Sequence, residues 1–583
     1  MTGWILNHLQ LFFLATFFIG SHGRATSETW QQWPLVASVS SLPDLYEASV
    51  AELGGGLNAG TFTSVDLIKA YYARIDEVNL QGPTLRAVIE KNPSALVEAA
   101  ALDAERRLLG PRSILHGIPI LVKDNIATLV SEGMNTTAGS FSLEGSIVPR
   151  DAGVVKRLRA AGAIILGKAN LSEFSHARGD LASGWSGRGG QCTAAYYPGA
   201  NPCGSSSGSG VAASIGLAAV TLGTETDGSI TCPASQNNVV GIKPTVGLTS
   251  RAGGEFIPSG GAYCFSDVYI FLVIPITAHQ DTVGPLTRSV SDAAAVLSVI
   301  SGPDPNDNYT LAQPSVVPSY LEALNASALQ GARLGVPRTV FLDPSYYKID
   351  DTVLDAYAAA LETLKSLGAT IVDPADLPSA QEIVASKDEL IVARTDFKAG
   401  LNAWFESLLA NPSGVRSMAD LIAFNDAHPE LEKPINYTDQ STLIKAELTE
   451  GFNTTYYQAL AYNYELGRTR GIDAALKEHD LDALVLPTAG YVTTPAALAG
   501  YPIVTVPLGF YPDNTTAVPT GPVTFYPAPG VPFGLSFIGT AYSEYSLIGY
   551  AYAYEQRTMT RLQRKAYAAA IPTTQLEDII GRP

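Results

Sequence analysis

Two serine-rich stretches in the first half of the chain have the residue types of a nucleophilic active site. Residues 204–210 read GSSSGSG, and residues 223–230 read GTETDGSI. Glycines and hydroxyl residues at this density favour sharp turns with exposed backbone N–H and side-chain O–H groups. In the second stretch Gly228 allows a tight turn, so that successive N–H groups can face a developing oxyanion beside Ser229. A Ser/Gly run alone is usually only a loop, but the two stretches together indicate acyl-transfer chemistry.

A serine nucleophile needs a base, and a lysine fits this role better here than a histidine. The chain has seven histidines, of which His8 and His22 lie near the N-terminus and none shares a motif with the serine stretches. Lys123 follows the apolar run IPILV. Burial there would lower the lysine pKa from about 10.4 toward neutrality, and a neutral amine can accept a proton. The structural alternative is a strand-end lysine paired with Asp124.

The segments before these polar residues predict buried strands of an α/β fold. The apolar run that ends in Lys123 predicts one strand, and AIILGKAN at 163–170 predicts a second one after a helix over about 152–161. A small-residue helix near Ser209 leads through AAVTLGTE into the turn that carries Ser229. Because helices and strands alternate in this way, the polar groups are expected at one edge of the sheet.

Further elements are predicted on both sides of this region. A helix that begins at Thr63 or Ser64 extends to about Asn79, with apolar residues at helical spacing: Leu67, Ile68, Tyr71, Ile75 and Val78. Residues 314–480 are mostly helical in pattern, contain no convincing catalytic cluster and predict a region that packs on the domain and covers the substrate. Short strands are expected in LDALVLP and YPIVTVPLGF, followed by a helix over about 544–562.

The composition is that of a large globular enzyme. At 583 residues several domains are possible, yet no low-complexity linker or charge run divides the chain, so one large domain is admissible. Hydrophobic residues make up 46% and charged residues 16%, which excludes a disordered chain. The net charge of −18 argues against nucleic acid or an anionic membrane as a partner.

The N-terminus predicts a secreted, extracellular protein. An apolar run from Leu9 to Gly20, followed by small and polar residues, indicates a signal peptide over 1–25 and a single domain over 26–583. No Lys or Arg precedes the run, so a membrane anchor is the alternative. Seven glycosylation sequons are compatible with secretion: Asn135, Asn170, Asn308, Asn325, Asn436, Asn453 and Asn514. Asn170 follows a predicted strand and is expected to be buried.

The cysteines predict neither a disulfide framework nor a zinc site. The four of them, Cys192, Cys203, Cys232 and Cys264, are too few and too irregularly spaced for either. None is paired with a recognisable histidine motif, which also disfavours a cysteine nucleophile.

GIPILVKDN, CGSSSGSG and GTETDGSI, in this order and spacing, closely resemble the amidase signature family of serine hydrolases. The resemblance covers residues 45–570 apart from the helical middle. It includes RDAGVVKRLRAAGAIILGKANLSEFS, VVGIKPTVGL and HQDTVGPLTRSVSDAA. It implies a large twisted mixed sheet surrounded by helices, and hydrolysis of small-molecule or peptide amides without a metal or organic cofactor. GWSGRGGQ with CGSSSGSG and TETDGSI looks most like the peptide amidase branch and its fungal counterparts.

The resemblance also implies a role for each site residue. The family's nucleophile falls on Ser229 and its catalytic lysine on Lys123. The relay serine, typically in a cis peptide bond, falls on Ser205, with Ser206 as the alternative. Lys243 in GIKPT looks like a structural cation. The oxyanion hole would be formed by the backbone N–H groups of Thr226, Asp227, Gly228 and Ser229.

Residues 254–273 interrupt what is a short link in the family. Their aromatic, unpatterned composition fits neither an amphipathic helix nor an alternating strand. The segment is interpreted either as a protruding loop near the substrate entrance or as an intron read as coding sequence.

Two other functions fit parts of the sequence. Residues 204–208 also spell G-x-S-x-G, the nucleophile motif of α/β-hydrolase esterases, with Ser206 as nucleophile. That motif requires a hydrophobic strand before it, whereas NPCG precedes it here, and no convincing histidine follows. The second alternative is a secreted, non-catalytic binding protein on the same scaffold, against which the intact Lys123, Ser205 and Ser229 weigh.

Overall fold

A mixed sheet of 11 strands forms the centre of the computed structural model, which describes residues 42–252 and 272–581. All of these residues belong to one compact unit, Ser41–Pro583. The strand order is β1-β3-β2-β6-β8-β7-β12-β13-β11-β9-β10, and β4 pairs with β5 in a separate ribbon. This architecture confirms the predicted fold class. The predicted boundary at residue 25 lies outside the described residues.

The strands are short, and most of them are buried along their whole length. Their bounds are β1 (Val88–Lys91), β2 (Pro119–Lys123), β3 (Ile164–Ala169), β4 (Trp185–Ser186), β5 (Gly190–Gln191), β6 (Val220–Glu225), β7 (Val240–Lys243), β8 (Thr282–Thr287), β9 (Arg333–Gly335), β10 (Thr370–Val372), β11 (Ala483–Pro487), β12 (Ile503–Phe510) and β13 (Pro532–Ile538).

The helices surround the sheet. Their bounds are α1 (Val50–Ala59), α2 (Ser64–Val78), α3 (Ala95–Leu109), α4 (Gly153–Ala160), α5 (Ser207–Ser214), α6 (Thr231–Gln236), α7 (Val290–Ile300), α8 (Asp351–Ser366), α9 (Ala380–Ala385), α10 (Asp388–Ser407), α11 (Met418–Ala427), α12 (Pro429–Glu432), α13 (Ser441–Glu447), α14 (Thr454–Tyr464), α15 (Asp473–Glu478), α16 (Thr494–Ala499), α17 (Glu544–Thr558) and α18 (Leu576–Ile580).

Three parallel strands position the predicted site. Strand β2 lies between β3 and β6 and runs parallel to both. Every residue of the three strands is buried, as expected for parallel strands covered on both faces. Because β2 and β6 are parallel neighbours, the residues at their carboxyl ends lie side by side at one edge of the sheet, as the sequence predicts.

The helix predicted to start at Thr63 or Ser64 forms as α2. Thr63 accepts a hydrogen bond from Asp66 N, and the Asp66 side chain accepts one from Thr63 N, which completes a capping box. The five apolar residues predicted to face inward are all buried. Here local periodicity and capping were enough to predict the element.

The region 314–480 is less purely helical than its pattern indicates. Its helices α8 to α15 include α10, the longest one described, but β9 and β10 also lie here and extend the sheet at one edge. These strands have only three residues each, too few for a periodicity to be detected. The predicted C-terminal helix ends at Thr558, and a 3-10 turn over Thr560–Gln563 follows.

The segment singled out at 254–273 lies almost entirely outside the described residues. Only Leu272 and Val273 are described; both are buried, and Val273 bridges to Ile126. Within the described part of the chain, no helix combines the length and the apolar character needed to cross a membrane.

Candidate active site

Lys123 is the last residue of β2 and is completely buried. Its Nζ lies 2.7 Å from Ser205 Oγ, 2.8 Å from Thr224 Oγ1 and 3.2 Å from Thr224 O. Asn125 Nδ2 donates to the same Thr224 hydroxyl at 3.0 Å. Burial lowers the pKa of Lys123 to about 7, although the nearby Asp281 and Glu225 oppose this shift. The alternative pairing with Asp124 does not form, because the Asp124 carboxylate accepts from Thr137 and Gly139.

Ser205 lies in the turn that precedes α5. The peptide bond between Gly204 and Ser205 is cis, and the Ser205 side chain is fully buried. Ser172 N donates to Ser205 O at 3.0 Å, which holds the turn against the loop after β3. The structure therefore places Ser205, and not the alternative Ser206, against the lysine.

Ser206 points away from the lysine, into backbone hydrogen bonds. Its Oγ donates to Thr224 O at 3.0 Å and accepts from Thr224 N at 3.2 Å, and the side chain is fully buried. Residues 201–203 before it are not a strand. Neither the exposed hydroxyl nor the strand that the esterase motif requires is present at this position.

Ser229 lies in the turn after β6 and is 8% exposed, whereas Ser205 and Lys123 are fully buried. Ser206 N donates to Ser229 O at 3.1 Å, so the two serine stretches are in direct contact. No hydrogen bond joins Ser229 Oγ to any described residue, Ser205 included. Catalytic hydrogen bonds are often long in unliganded enzymes and tighten only when substrate binds.

The turn that carries Ser229 is held by a carboxylate that the sequence analysis missed. Glu225 is buried, and its oxygens accept hydrogen bonds from the backbone N–H groups of Gly228, Ile230 and Thr231 at 2.7–2.9 Å. Gly228 has a φ of +79°, which favours glycine. Glu225 is part of GTETDGSI, directly before the predicted turn, so the motif did contain this signal.

The predicted oxyanion hole differs from expectation at one of its four N–H groups. Gly228 N–H donates to Glu225 and therefore points into the protein. The N–H groups of Thr226, Asp227 and Ser229 form no hydrogen bond with any described residue. Those three amides are the ones free to bind an oxyanion in this geometry.

A disulfide, which the sequence analysis did not predict, joins the two serine stretches. Cys203 and Cys232 are bonded, with Cα atoms 5.8 Å apart. Cys203 directly precedes the cis peptide, and Cys232 lies in α6, three residues after Ser229. Sequence spacing could not predict this pairing, because tertiary folding brings the two positions together. Cys192 is buried and free.

A cavity of about 400 Å³ opens beside Ser229. The turn residues Thr226 and Asp227 line it, and so do Arg394 and Phe397 of α10. His176 also lines the cavity, so one histidine does lie near the serine turn. Burial lowers the pKa of His176, which disfavours its charged form. Neither His176 nor Arg394 lies in a sequence motif that could have revealed it.

Two other predictions concern buried polar groups near the site. Lys243 is fully buried and its Nζ donates to Tyr501 O at 2.8 Å, which fits the expected structural cation. Burial lowers its pKa to about 8. Asn170 is fully buried, as expected, and its side chain donates to Arg86 O at 2.8 Å.

The comparison with known proteins identifies the family. A family model described as Amidase matches residues 66–548. The chain belongs to the amidase family. This amidase is 41% identical over 538 residues to a probable amidase of Arabidopsis thaliana, covering 91% of this chain and 94% of that protein.

The solved structures agree with the sequence relative. The amidase matches the native peptide amidase from Stenotrophomonas maltophilia with a TM-score of 0.77 and 42% identity, covering 91% of this chain and 99% of that one. It matches an amidase family protein from Bacillus anthracis with a TM-score of 0.75 and 29% identity, covering 91% and 93%. These findings confirm the resemblance to amidases and the peptide amidase branch. They support an amide-hydrolysing enzyme, not a non-catalytic binding protein.

Proposed function

We propose that this amidase hydrolyses carboxylic amides by transferring the acyl group to Ser229 and then to water, with Ser205 as proton relay and Lys123 as base. The observation that carries the proposal is the 2.7 Å contact between Lys123 Nζ and Ser205 Oγ inside a fully buried site. There is no histidine in this relay.

The three contacts of Lys123 Nζ fit a neutral amine. Thr224 O can only accept a hydrogen bond, and Thr224 Oγ1 accepts one from Asn125 as well as from the lysine. The two N–H groups of a neutral amine satisfy these oxygens. Its lone pair then remains for the third contact, the hydroxyl of Ser205. A lysine with a pKa of about 7 is largely in this form at slightly alkaline pH.

The proton moves from Ser229 Oγ to Ser205 Oγ while the Ser205 proton moves to Lys123 Nζ. Ser229 Oγ forms a bond to the amide carbonyl carbon, and the carbonyl oxygen becomes an anion that the turn amides can bind. Collapse of the tetrahedral intermediate breaks the C–N bond, and the relay returns the proton to the leaving nitrogen. Water then attacks the acyl-enzyme by the same route and releases the acid.

The named activity of a structural relative suggests the substrates to test first. The solved relative from Stenotrophomonas maltophilia is named a peptide amidase. We therefore propose simple carboxylic amides and C-terminal peptide amides as substrates. Ammonia release should be measured across aliphatic, aromatic and peptide amides. Absence of turnover on every amide, with a folded protein, would refute the proposal.

A double-substitution experiment tests the relay itself. Ser229→Ala should reduce kcat by about 10⁴-fold or more, and Lys123→Ala should also be severe, because both residues act in the same step. The combined variant should be little worse than Ser229→Ala alone. Losses that multiply in the double variant would mean that the two residues act independently and would contradict the relay.

We further propose that the protein is secreted and glycosylated. The apolar run in residues 9–20 motivates this proposal. The disulfide supports it, because such bonds persist mainly in oxidising compartments. Five sequon asparagines are exposed: Asn308, Asn325, Asn436, Asn453 and Asn514. The mature protein should begin near residue 26, with glycans at exposed sequons and none at Asn170. N-terminal sequencing and glycopeptide mass spectrometry test this, and retention of Met1 in a soluble intracellular product would contradict it.

A further inference from the structure

One face of α10 forms part of the wall of the active-site cavity. Leu390, Ala393, Arg394 and Phe397 line the cavity, and their spacing of three and four residues places them on the same side of the helix. Three of the four are apolar. Arg394 is therefore the single cation that the described wall of the cavity presents to a bound substrate.

No described residue accounts for the position of Arg394. The side chain is partly buried, and its Nε is buried without a hydrogen-bond partner. The guanidinium makes no ion pair with a carboxylate among the described residues. A buried guanidinium nitrogen without an acceptor costs free energy, so no polar contact of the protein explains why the arginine lies here. The two Nη nitrogens form no hydrogen bond with a described residue and are not buried, so they are the donors that a ligand in the cavity can reach.

The carboxylates of the cavity wall and of the preceding turn of α10 form no ion pair with Arg394. Asp227 is the one carboxylate among the described residues that line the cavity; its Oδ2 accepts from Thr494 Oγ1 at 3.0 Å, and its Oδ1 is buried without a hydrogen-bond partner. Glu389, which precedes Leu390 on α10, accepts from Gln280 Nε2 at 2.8 Å. Neither of them neutralises Arg394.

We propose that Arg394 is a specificity-determining residue that binds an acceptor oxygen of the substrate beyond the scissile carbonyl. This inference rests on the proposed function. In a primary amide the leaving group is ammonia, so every other atom of the substrate belongs to the acyl part. The planar fork of a guanidinium binds a carboxylate in a bidentate manner and also donates to a peptide carbonyl. The substrates are therefore amides whose acyl part carries a peptide carbonyl or a carboxylate.

Three matched substrates test the proposal. N-acetylglycinamide carries a peptide carbonyl, glutaramate carries a carboxylate, and pentanamide has the same chain length with neither. Arg394→Met should lower kcat/KM by about 10- to 100-fold on at least one oxygenated substrate, mainly through KM, as expected for a lost hydrogen bond to a charged group. The same substitution should change kcat/KM on pentanamide by no more than about twofold. The substrate with the larger fall identifies the oxygen.

The controls separate this role from a structural one. Arg416→Met removes an exposed arginine of the same region that does not line the cavity, and it should leave all three substrates unaffected. If Arg394→Met does not fold, Arg394→Lys replaces it. Lysine keeps the charge but not the fork, so a smaller and still substrate-selective fall is expected.

The outcomes distinguish failure of this inference from failure of the proposed function. If Arg394→Met lowers kcat/KM equally on all three substrates, or on none of them, the role of Arg394 is overturned and the amidase mechanism stays intact. A wild-type protein that hydrolyses no amide overturns both.

Discussion

Lys123 acts as a base only because the fold removes it from water. It is fully buried at the end of β2, its neighbours offer hydrogen bonds, and no carboxylate of residues 42–252 or 272–581 contacts it directly. The cost of desolvating the Lys123 ammonium therefore outweighs its attraction to the more distant carboxylates of Asp281 and Glu225. As a result, the pKa of Lys123 falls to about 7. The same lysine on the surface would be protonated and inactive at neutral pH.

The pH dependence of the reaction follows from this lowered pKa. Below pH 7 Lys123 takes up a proton and loses the lone pair that receives the Ser205 proton, so kcat/KM should fall about tenfold per pH unit on the acid side. Above that pH it should reach a plateau. Lys123→Arg, which stays protonated throughout, should be inactive at every pH. Rates measured from about pH 5 to about pH 9 check this, and an acid limb far below pH 7 would contradict it.

His176 is the histidine that could challenge the lysine mechanism, because it lines the cavity with Ser229. It forms no side-chain hydrogen bond with Ser229, and the relay has no place for it. We expect His176→Gln to change KM by a fewfold and to retain substantial kcat. A folded variant that loses activity as completely as Ser229→Ala would revive a histidine-based triad.

At the scale of elements, a disulfide and a carboxylate fix two turns against each other. The Cys203–Cys232 bond ties the cis-peptide turn before α5 to the start of α6. Glu225 holds the intervening turn through backbone N–H groups. Together these contacts position Ser205 and Ser229 from opposite ends of a segment that contains α5 and β6.

Removal of the disulfide should lower stability and disturb catalysis. The two cysteines are 29 residues apart, and closing a loop of this length contributes about 3–4 kcal/mol in the chain-entropy account. We therefore expect a similar loss in the free energy of unfolding for Cys203→Ser, for Cys232→Ser and for the double variant, because each of them breaks the same bond. Cys192→Ala, at the free buried cysteine, is the control. Denaturant unfolding measures the loss, and a double variant as stable as the wild type would contradict it.

At the scale of the molecule, the helical region that covers the cavity is joined to the sheet core by buried charges. Arg178 Nη1 lies 2.7 Å from Glu173 and 3.5 Å from Glu432, which is the last residue of α12. All three side chains are buried. Burial, together with the nearby Glu432, raises the pKa of Glu173 well above its usual range. The arginine therefore stabilises two carboxyl groups that would otherwise repel each other.

Arg178→Met should destabilise the protein by about 3–5 kcal/mol, because it leaves two buried carboxyl groups without their cation. A carboxyl with a raised pKa is favoured in its protonated form, so the loss should be smaller in acid and larger as the pH rises. Urea unfolding of Arg178→Met and of the surface control Arg416→Met, at an acidic and at an alkaline pH, measures both effects. A pH-independent loss would show that packing alone explains it.

The sequence by itself determined the strands that end in Lys123 and before Ser229, the helix α2, and the chemistry of the lysine and the two serine stretches. These features depend on short apolar runs, capping residues and turn glycines, which are local. Only the tertiary structure decided the partner of Cys203, the short strands β9 and β10, and the presence of His176 and Arg394 at the cavity. Each of these depends on segments far apart in sequence, and local pattern contains no information about which distant segments meet.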